Sequence, residues 1–290
     1  MNLRNGRLRN FSHIQNFKPK AFMNFEDLYA QLFDNQGKGE TISTGWKKFD
    51  QFLGGGFGAE LVAFSGRPLH GKSTFLLNLM LNYSYFQKYK GMLIAPMSNM
   101  PSLVKYLASI IRNEEDPKET WSEDQLLDCL SDIKSLFLNR VKVEFQYQNM
   151  DEVLTQAKLW KASYLILDDF YQIMGNVFSA AHYYENLCKL KEFSQEAGIP
   201  VFISVMAQSS VERRGGPQDP RLMDIYRSDL LAQQAHKILM LYHPMVIGIT
   251  EDDFGMSTQG KLEVTMVKNS LGKSGTLIFD MKESGRVLER

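Results

Sequence analysis

Cysteine is scarce. Cys129 and Cys188 are the only two in 290 residues, far apart and outside any metal or redox spacing. That excludes a disulfide framework and leaves both as small apolar side chains in a reducing compartment. An excess of charge of either sign is lacking too: Lys plus Arg and Asp plus Glu each number 33. With zero formal net charge, a basic surface over the whole molecule is excluded, and any phosphate contact has to come from local clusters. No apolar run approaches the roughly 20 residues that cross a bilayer, and no signal-type apolar segment follows Met1. The expectation is a cytoplasmic protein without membrane contact. Internal repeats and low-complexity linkers are also missing, which argues against a solenoid.

What is present is 44% hydrophobic residues, enough for one substantial core. Residues 1–21 carry Arg4, Arg7, Arg9, Lys18 and Lys20 without a carboxylate. That composition suits a phosphate-binding arm, a transit peptide or a solvated terminus alike. Next, Phe25, Leu28, Tyr29, Leu32 and Phe33 recur at helical spacing and predict a short amphipathic helix. It packs either on its own domain or on a neighbouring subunit. Past Gly39, apolar runs at 61–65, 92–95, 141–145, 164–167 and 201–205 alternate with helical stretches at 74–89, 102–113, 123–137 and 183–197. This is the pattern of a wound α/β sheet. Runs at 237–242, 262–267 and 276–279 follow closely, with turn residues between, and predict an antiparallel edge.

The string GRPLHGKST (66–74) matches G-x-x-x-x-G-K-[ST], follows an apolar strand and opens a helix, the context that gives this pattern a mechanism. Gly66 and Gly71 let backbone amides wrap a phosphate, and Lys72 sets a point charge on the β- and γ-phosphates. The helix start adds its positive dipole end, and the Ser73 hydroxyl suits Mg²⁺. Gly66, Arg67, His70, Gly71, Lys72, Ser73 and Thr74 are thus the candidate nucleotide-binding residues, with ATP and Mg²⁺ as cofactors. A metal held by Ser73 needs a carboxylate opposite, and YLILDDFYQIM (164–174) ends a strand on Asp168 and Asp169. The fold class that follows is a P-loop NTPase: α/β, a mainly parallel twisted sheet with helices on both faces and an antiparallel C-terminal edge. Residues 1–40 are expected to form a basic arm and linker helix, and 41–290 the nucleotide-binding domain.

In this order and spacing, several short strings resemble the RecA-like ATPase domain of DnaB-type replicative helicases, from about Ile42 to Phe279. They are STGWKKFDQFLGG (43–55), the GRP of the phosphate loop, DFYQIM (169–174), AGIPV (197–201), VERR (211–214), DPRLMDIYRS (219–228), ILMLYH (238–243) and VKNSLGKSGT (267–276). The RadA and KaiC groups share the opening stretch and the phosphate loop. The resemblance implies that the P-loop NTPase fold is RecA-like. It also implies ATP-driven work on single-stranded DNA by a homo-oligomer, a hexameric ring in the family, with the linker helix docked on the adjacent subunit. It gives the metal to Asp169, with Asp168 the alternative, and makes Lys72 and Asp169 the catalytic candidates. A short arm is expected at the position where the family has a helical N-terminal domain.

Departures fall on the catalytic positions. The family's water-polarising glutamate after the second strand aligns with Pro96, its γ-phosphate-sensing glutamine with Met206, and its arginine finger with Ser270. Gln208 reaches the sensor position only with a local shift. Lys268 matches the family lysine before the finger, and Lys268 and Lys273 are the trans-acting candidates. If Asp168 holds the metal, Asp169 becomes an acidic group able to orient water. Losing a finger alone costs about 10³ to 10⁵ in rate in other phosphate-loop enzymes, whereas ground-state nucleotide contacts survive. Weak hydrolysis is expected.

For nucleic acid, Arg213 and Arg214 with Arg221 in VERRGGPQDPR (211–221) are phosphate-contact candidates, or else the solvated arginines of a surface loop. The resemblance adds Arg227 in DIYRSD (224–229), where Asp229 replaces the family glycine and would repel phosphate. No basic stripe interleaved with aromatics is read from the sequence. Two functions stay open: an ATP-dependent helicase or translocase in replication or recombination, and a degenerate nucleotide-binding paralogue acting as a structural or regulatory partner. A small-molecule kinase is disfavoured because nothing resembles an acceptor lid.

Overall fold

The computed structural model describes residues 41–112, 123–147, 149–174, 179–214, 219–270 and 272–290. The basic arm and the Phe25 to Phe33 stripe lie outside them. Nine strands form one sheet among the described residues, in the order β3-β2-β4-β5-β1-β6-β7-β8-β9. Strands β1 (Leu61–Gly66), β2 (Gly91–Ile94), β3 (Val141–Glu144), β4 (Tyr164–Leu167), β5 (Val201–Met206) and β6 (Lys237–Tyr242) run parallel. Strands β7 (Lys261–Asn269) and β8 (Gly275–Met281) form the antiparallel edge that the C-terminal pattern predicts. By contrast, β6 of that pattern pairs parallel with β1 and antiparallel only with β7, and β9 (Val287–Glu289) adds an antiparallel strand the pattern does not contain.

Apart from the edge strand β3 (VKVE), the parallel strands read as nearly continuous apolar runs because both their faces are covered. On β1, Val62 and Phe64 join one core while Leu61 and Ala63 join the other. The first core is aromatic: Phe75 lies 4.9 Å from Trp46 and 5.3 Å from Phe279, ring centre to ring centre. Phe49 adds edge contacts at 5.8 Å to Phe75 and 5.6 Å to Phe279. Each such pair contributes about 0.5–1.5 kcal/mol beyond its buried area. Together they clamp the helix that follows the phosphate loop, α2 (Lys72–Leu81), between α1 (Lys47–Leu53) and the antiparallel edge.

The helix expected over 74–89 is shorter. It ends at Leu81 and passes into a π-turn over Asn82–Phe86. Helices α3 (Met100–Arg112), α4 (Glu123–Asn139) and α7 (Ala180–Ala197) match their expected stretches closely, and α6 (Phe170–Ile173) is a single turn after β4. Two more helices carry local signals the apolar pattern does not show. In α5 (Met150–Trp160) the Asn149 side chain accepts the Glu152 amide at 2.9 Å, with Asp151 and Glu152 in the first turn. In α8 (Ser228–Gln234) the start follows Arg227, whose φ is +52°. At the amino edge of the sheet, Glu60 and Lys237 form a buried ion pair with the ammonium 5.8 Å from the Phe57 ring centre.

Candidate functional site

The phosphate loop lies at the carboxyl end of β1, between β5 and β6, where open parallel sheets place ligands. Gly66 is dictated by a close approach: a Cβ there would lie 2.7 Å from the Leu241 carbonyl oxygen of β6. Gly71 has φ +82° and precedes α2 without a side-chain cap, so the first helix amides are not claimed by a capping group. Lys72 is only 9% exposed. Its Nζ donates to the carbonyls of Gly66 and Arg67, both at 3.0 Å. Burial lowers the Lys72 ammonium below the ordinary lysine value, and the charges of Asp168 and Asp169 oppose that.

The two carboxylates stand at the end of β4, separated from β1 by β5, about 10 Å at ordinary strand spacing. The Asp168 amide extends the ladder to Ile94 O at 2.9 Å, and its Oδ1 accepts the Ser204 hydroxyl of β5. Asp169 Oδ1 caps α6 by accepting the Tyr171 amide at 2.8 Å. Burial raises the Asp169 carboxyl above its ordinary value; the Tyr171 amide acts against this, and Asp168 adds to it. The Ser204 partner is a contact the sequence reading missed. Its only signal is a lone hydroxyl in the apolar run VFISVM.

Other loop residues take distinct places. Ser73 is exposed. The Thr74 hydroxyl shares a 2.7 Å hydrogen bond with Tyr106 OH, Arg67 Nη1 donates to Ala207 O at 2.8 Å, and buried His70 accepts the His243 amide on Nδ1 at 3.2 Å. These three side chains brace the loop against α3 and against the chain at the ends of β5 and β6.

The departures from the helicase pattern also find their places. Pro96 lies in the turn after β2, closed by Ser98 N to Ala95 O at 3.0 Å. Met206 pairs in register with Gly66 and is 39% exposed. Gln208 is exposed, with its amide on Asp224 O at 2.7 Å. The Ser270 amide and hydroxyl both bond His236 O, at 2.9 and 3.0 Å. Lys268 is turned inward onto the carbonyls of Ala232 and Ala235, at the end of α8, and burial lowers its ammonium. Lys273 is exposed in the β7–β8 turn.

The arginine set is divided. Arg213 is exposed. Arg214 pairs with Asp224, which is itself buried and accepts the Arg221 amide at 2.7 Å. Arg227 pairs with Asp229 at 3.1 Å, so that carboxylate neutralises its neighbour rather than standing alone. Among the described residues no group of three or more His, Cys, Asp and Glu is placed to hold a metal by itself.

A family model for the DnaB-like helicase C terminal domain matches residues 41–286. Curated relatives include the replicative DNA helicase DnaB of Helicobacter pylori, 24% identical over 281 residues that cover 88% of this chain and 56% of that protein. DnaB of Geobacillus stearothermophilus is 21% identical over 286 residues, 89% of this chain and 60% of its own length. The chain thus spans a little over half the length of these relatives. Among solved structures, an ATPase domain superposes with a TM-score of 0.74 at 19% identity, covering 91% of this chain and 96% of that one. A DnaB-like replicative helicase, whose structure is described with its interactions with primase, gives 0.72 at 19% identity over 90% and 64%. A KaiC-like protein of Pyrococcus horikoshii gives 0.60 at 16% identity over 87% and 99%. At these identities the structural likeness establishes the RecA-like fold.

Proposed function

The chain belongs to the DnaB-like helicase C-terminal domain family, and from that premise we propose that it binds ATP with Mg²⁺ at Gly66–Ser73 and acts on single-stranded DNA as an oligomer. The observation that carries this reading is the buried Lys72 ammonium, set among the loop carbonyls and within the field of two carboxylates. A phosphate chain would replace those carbonyls as its partner.

The residues fit the nucleotide and its metal. Helix amides, a buried ammonium, an exposed serine hydroxyl and a carboxylate are the oxygen and N–H groups that magnesium nucleotides take. Lys72 would meet the β- and γ-phosphates, the loop amides would wrap them, and Ser73 with Asp169, or Asp168 in its place, would hold the ion. Bound Mg²⁺ neutralises phosphate charge. Residues 1–40 are assigned as arm and linker helix, Arg213 as the DNA-facing arginine, and the cytoplasm as the compartment. Among the described residues no helix is long and apolar enough to cross a membrane.

Turnover is proposed to be slow, because Pro96 and Met206 are neither base nor hydrogen-bond donor and Ser270 is engaged by His236. The same observation supports a second reading, a regulatory or structural member of a helicase assembly. A strand-displacement assay on a forked duplex separates the two: ATP-dependent unwinding belongs to the motor, and nucleotide binding without unwinding to the regulatory member. Loss of affinity for a labelled ATP analogue in Lys72→Ala tests the shared premise, which retained affinity would remove.

A further inference from the structure

The sheet edge opposite the phosphate loop collects cations from three separate stretches. Lys90 immediately precedes β2, Arg140 immediately precedes β3, and Lys161 stands just before β4. The order β3-β2-β4 makes these strand starts neighbours, tied by Gly91 N to Arg140 O and Ser163 N to Lys90 O, both at 2.7 Å. At ordinary strand spacing they span about 10 Å. Lys88, at φ +69°, adds a fourth cation. Among the described residues none of the four is in an ion pair, whereas nearby Lys158 is paired with Glu196 at 3.5 Å.

Aromatic rings lie among them. Phe86 is 57% exposed and Tyr89 38%. Lys90 lies 4.9 Å from the centre of the Trp160 ring, and Lys88 5.1 Å from that of Tyr85. The arrangement is built rather than loose: Tyr89 N bonds Tyr83 O at 2.9 Å, Ser84 Oγ bonds Tyr89 O at 2.8 Å, and Arg140 Nη1 donates to Lys88 O. Trp160 is fixed by its Nε1 bond to Gly91 O at 3.0 Å.

We propose that this amino edge is a second binding site, for single-stranded nucleic acid, distinct from the nucleotide site and from the Arg213 segment. Unpaired cations meet phosphates, and exposed rings offer faces on which bases stack, the combination that holds single strands without sequence preference. An acidic polypeptide would use the cations and leave the rings idle. The site does not depend on the phosphate loop.

The test is a tryptophan-emission titration of the full chain with oligothymidylate of about 12 nucleotides over a salt series. Binding should quench emission in wild type and in Arg213→Ala, and Trp160→Phe should abolish the quenching. The logarithmic salt slope should be near −3, from about −0.7 per phosphate met by four cations. Replacing Lys88, Lys90 and Lys161 together by serine should weaken this binding about tenfold or more and take about 2 off the slope, with ATP-analogue binding intact. Unchanged affinity and slope in the triple variant, or quenching that persists in Trp160→Phe, would overturn the proposal. So would equal quenching by polyglutamate, which would make the edge a site for acidic polypeptides.

Discussion

Lys72→Ala separates the two things its ammonium does. Within the protein it makes two hydrogen bonds, to Gly66 O and Arg67 O, each at 3.0 Å. Hydrogen bonds from a charged group contribute about 1.5–3 kcal/mol apiece, so the substitution forfeits about 3–6 kcal/mol. Against this, the variant no longer buries a charge at a site where 9% of the residue meets solvent, a cost of several kcal/mol for an ion. The lowered Lys72 value has the same sign: the unfolded chain holds this proton more tightly, so its protonation at neutral pH works against folding, and the penalty fades as pH rises through the folded value towards 10.5. The two effects nearly offset, and without nucleotide Lys72→Ala should melt close to wild type or slightly above it. With an ATP analogue and Mg²⁺ the variants diverge. At a hundred times Kd a ligand adds about 2.7 kcal/mol to wild type, roughly 5–10 °C in a chain of this size. Loss of charge-assisted phosphate contacts worth about 3 kcal/mol or more lowers affinity over roughly a hundredfold, and the shift should vanish. Differential scanning fluorimetry with and without the analogue reads both. A variant that melts many degrees lower without ligand would make Lys72 a structural residue, and a preserved ligand shift would remove it from the phosphate site.

Three further outcomes follow from named groups. Because burial raises Asp169, nucleotide binding that requires Mg²⁺ should weaken on acidification at pH values above the ordinary 3.8, and Asp169→Asn should flatten that profile, read by isothermal calorimetry across pH. The linkage sign without metal is the reverse: the stabilising contribution of the protonated carboxyl is present below the ordinary value and lost as pH rises through the raised one. Lys237→Met alone should cost about 3–5 kcal/mol by stranding buried Glu60, whereas the pair Lys237→Met with Glu60→Leu should recover most of it in urea unfolding. Polar replacement of Phe25 and Leu32 should lower the oligomer mass in light scattering, and an unchanged mass would remove that apolar stripe from assembly.

The parallel strands, the antiparallel C-terminal edge and the phosphate loop were legible because they rest on local pattern: apolar runs buried on both faces, and a glycine turn that opens a helix. Strand order was not, since nothing local says that β4 and β5 lie between β1 and β2. The same blindness hid Ser204 beside Asp168, the engagement of Arg214 by Asp224, and the inward turn of Lys268 onto α8. Each joins residues 10 or more positions apart. The run YFQKYK (85–90) does interleave aromatics with lysines, contrary to the sequence reading, yet its weight comes from Arg140 and Lys161, which only the sheet order brings alongside.

The most direct measurement is phosphate release from ATP and Mg²⁺ by the purified chain, with and without single-stranded DNA. With Pro96 after β2, Met206 beside Gly66 and Ser270 held by His236, turnover should lie at about 10⁻⁴ to 10⁻³ per second, the intrinsic range of phosphate-loop proteins without a finger, and DNA should change it little. Restoring Glu at Pro96 and Arg at Ser270 together should raise it. DNA-stimulated turnover on the order of 1 per second in the wild-type chain would contradict the account and show that Asp169, Gln208 or Lys273 carries the work of the missing groups.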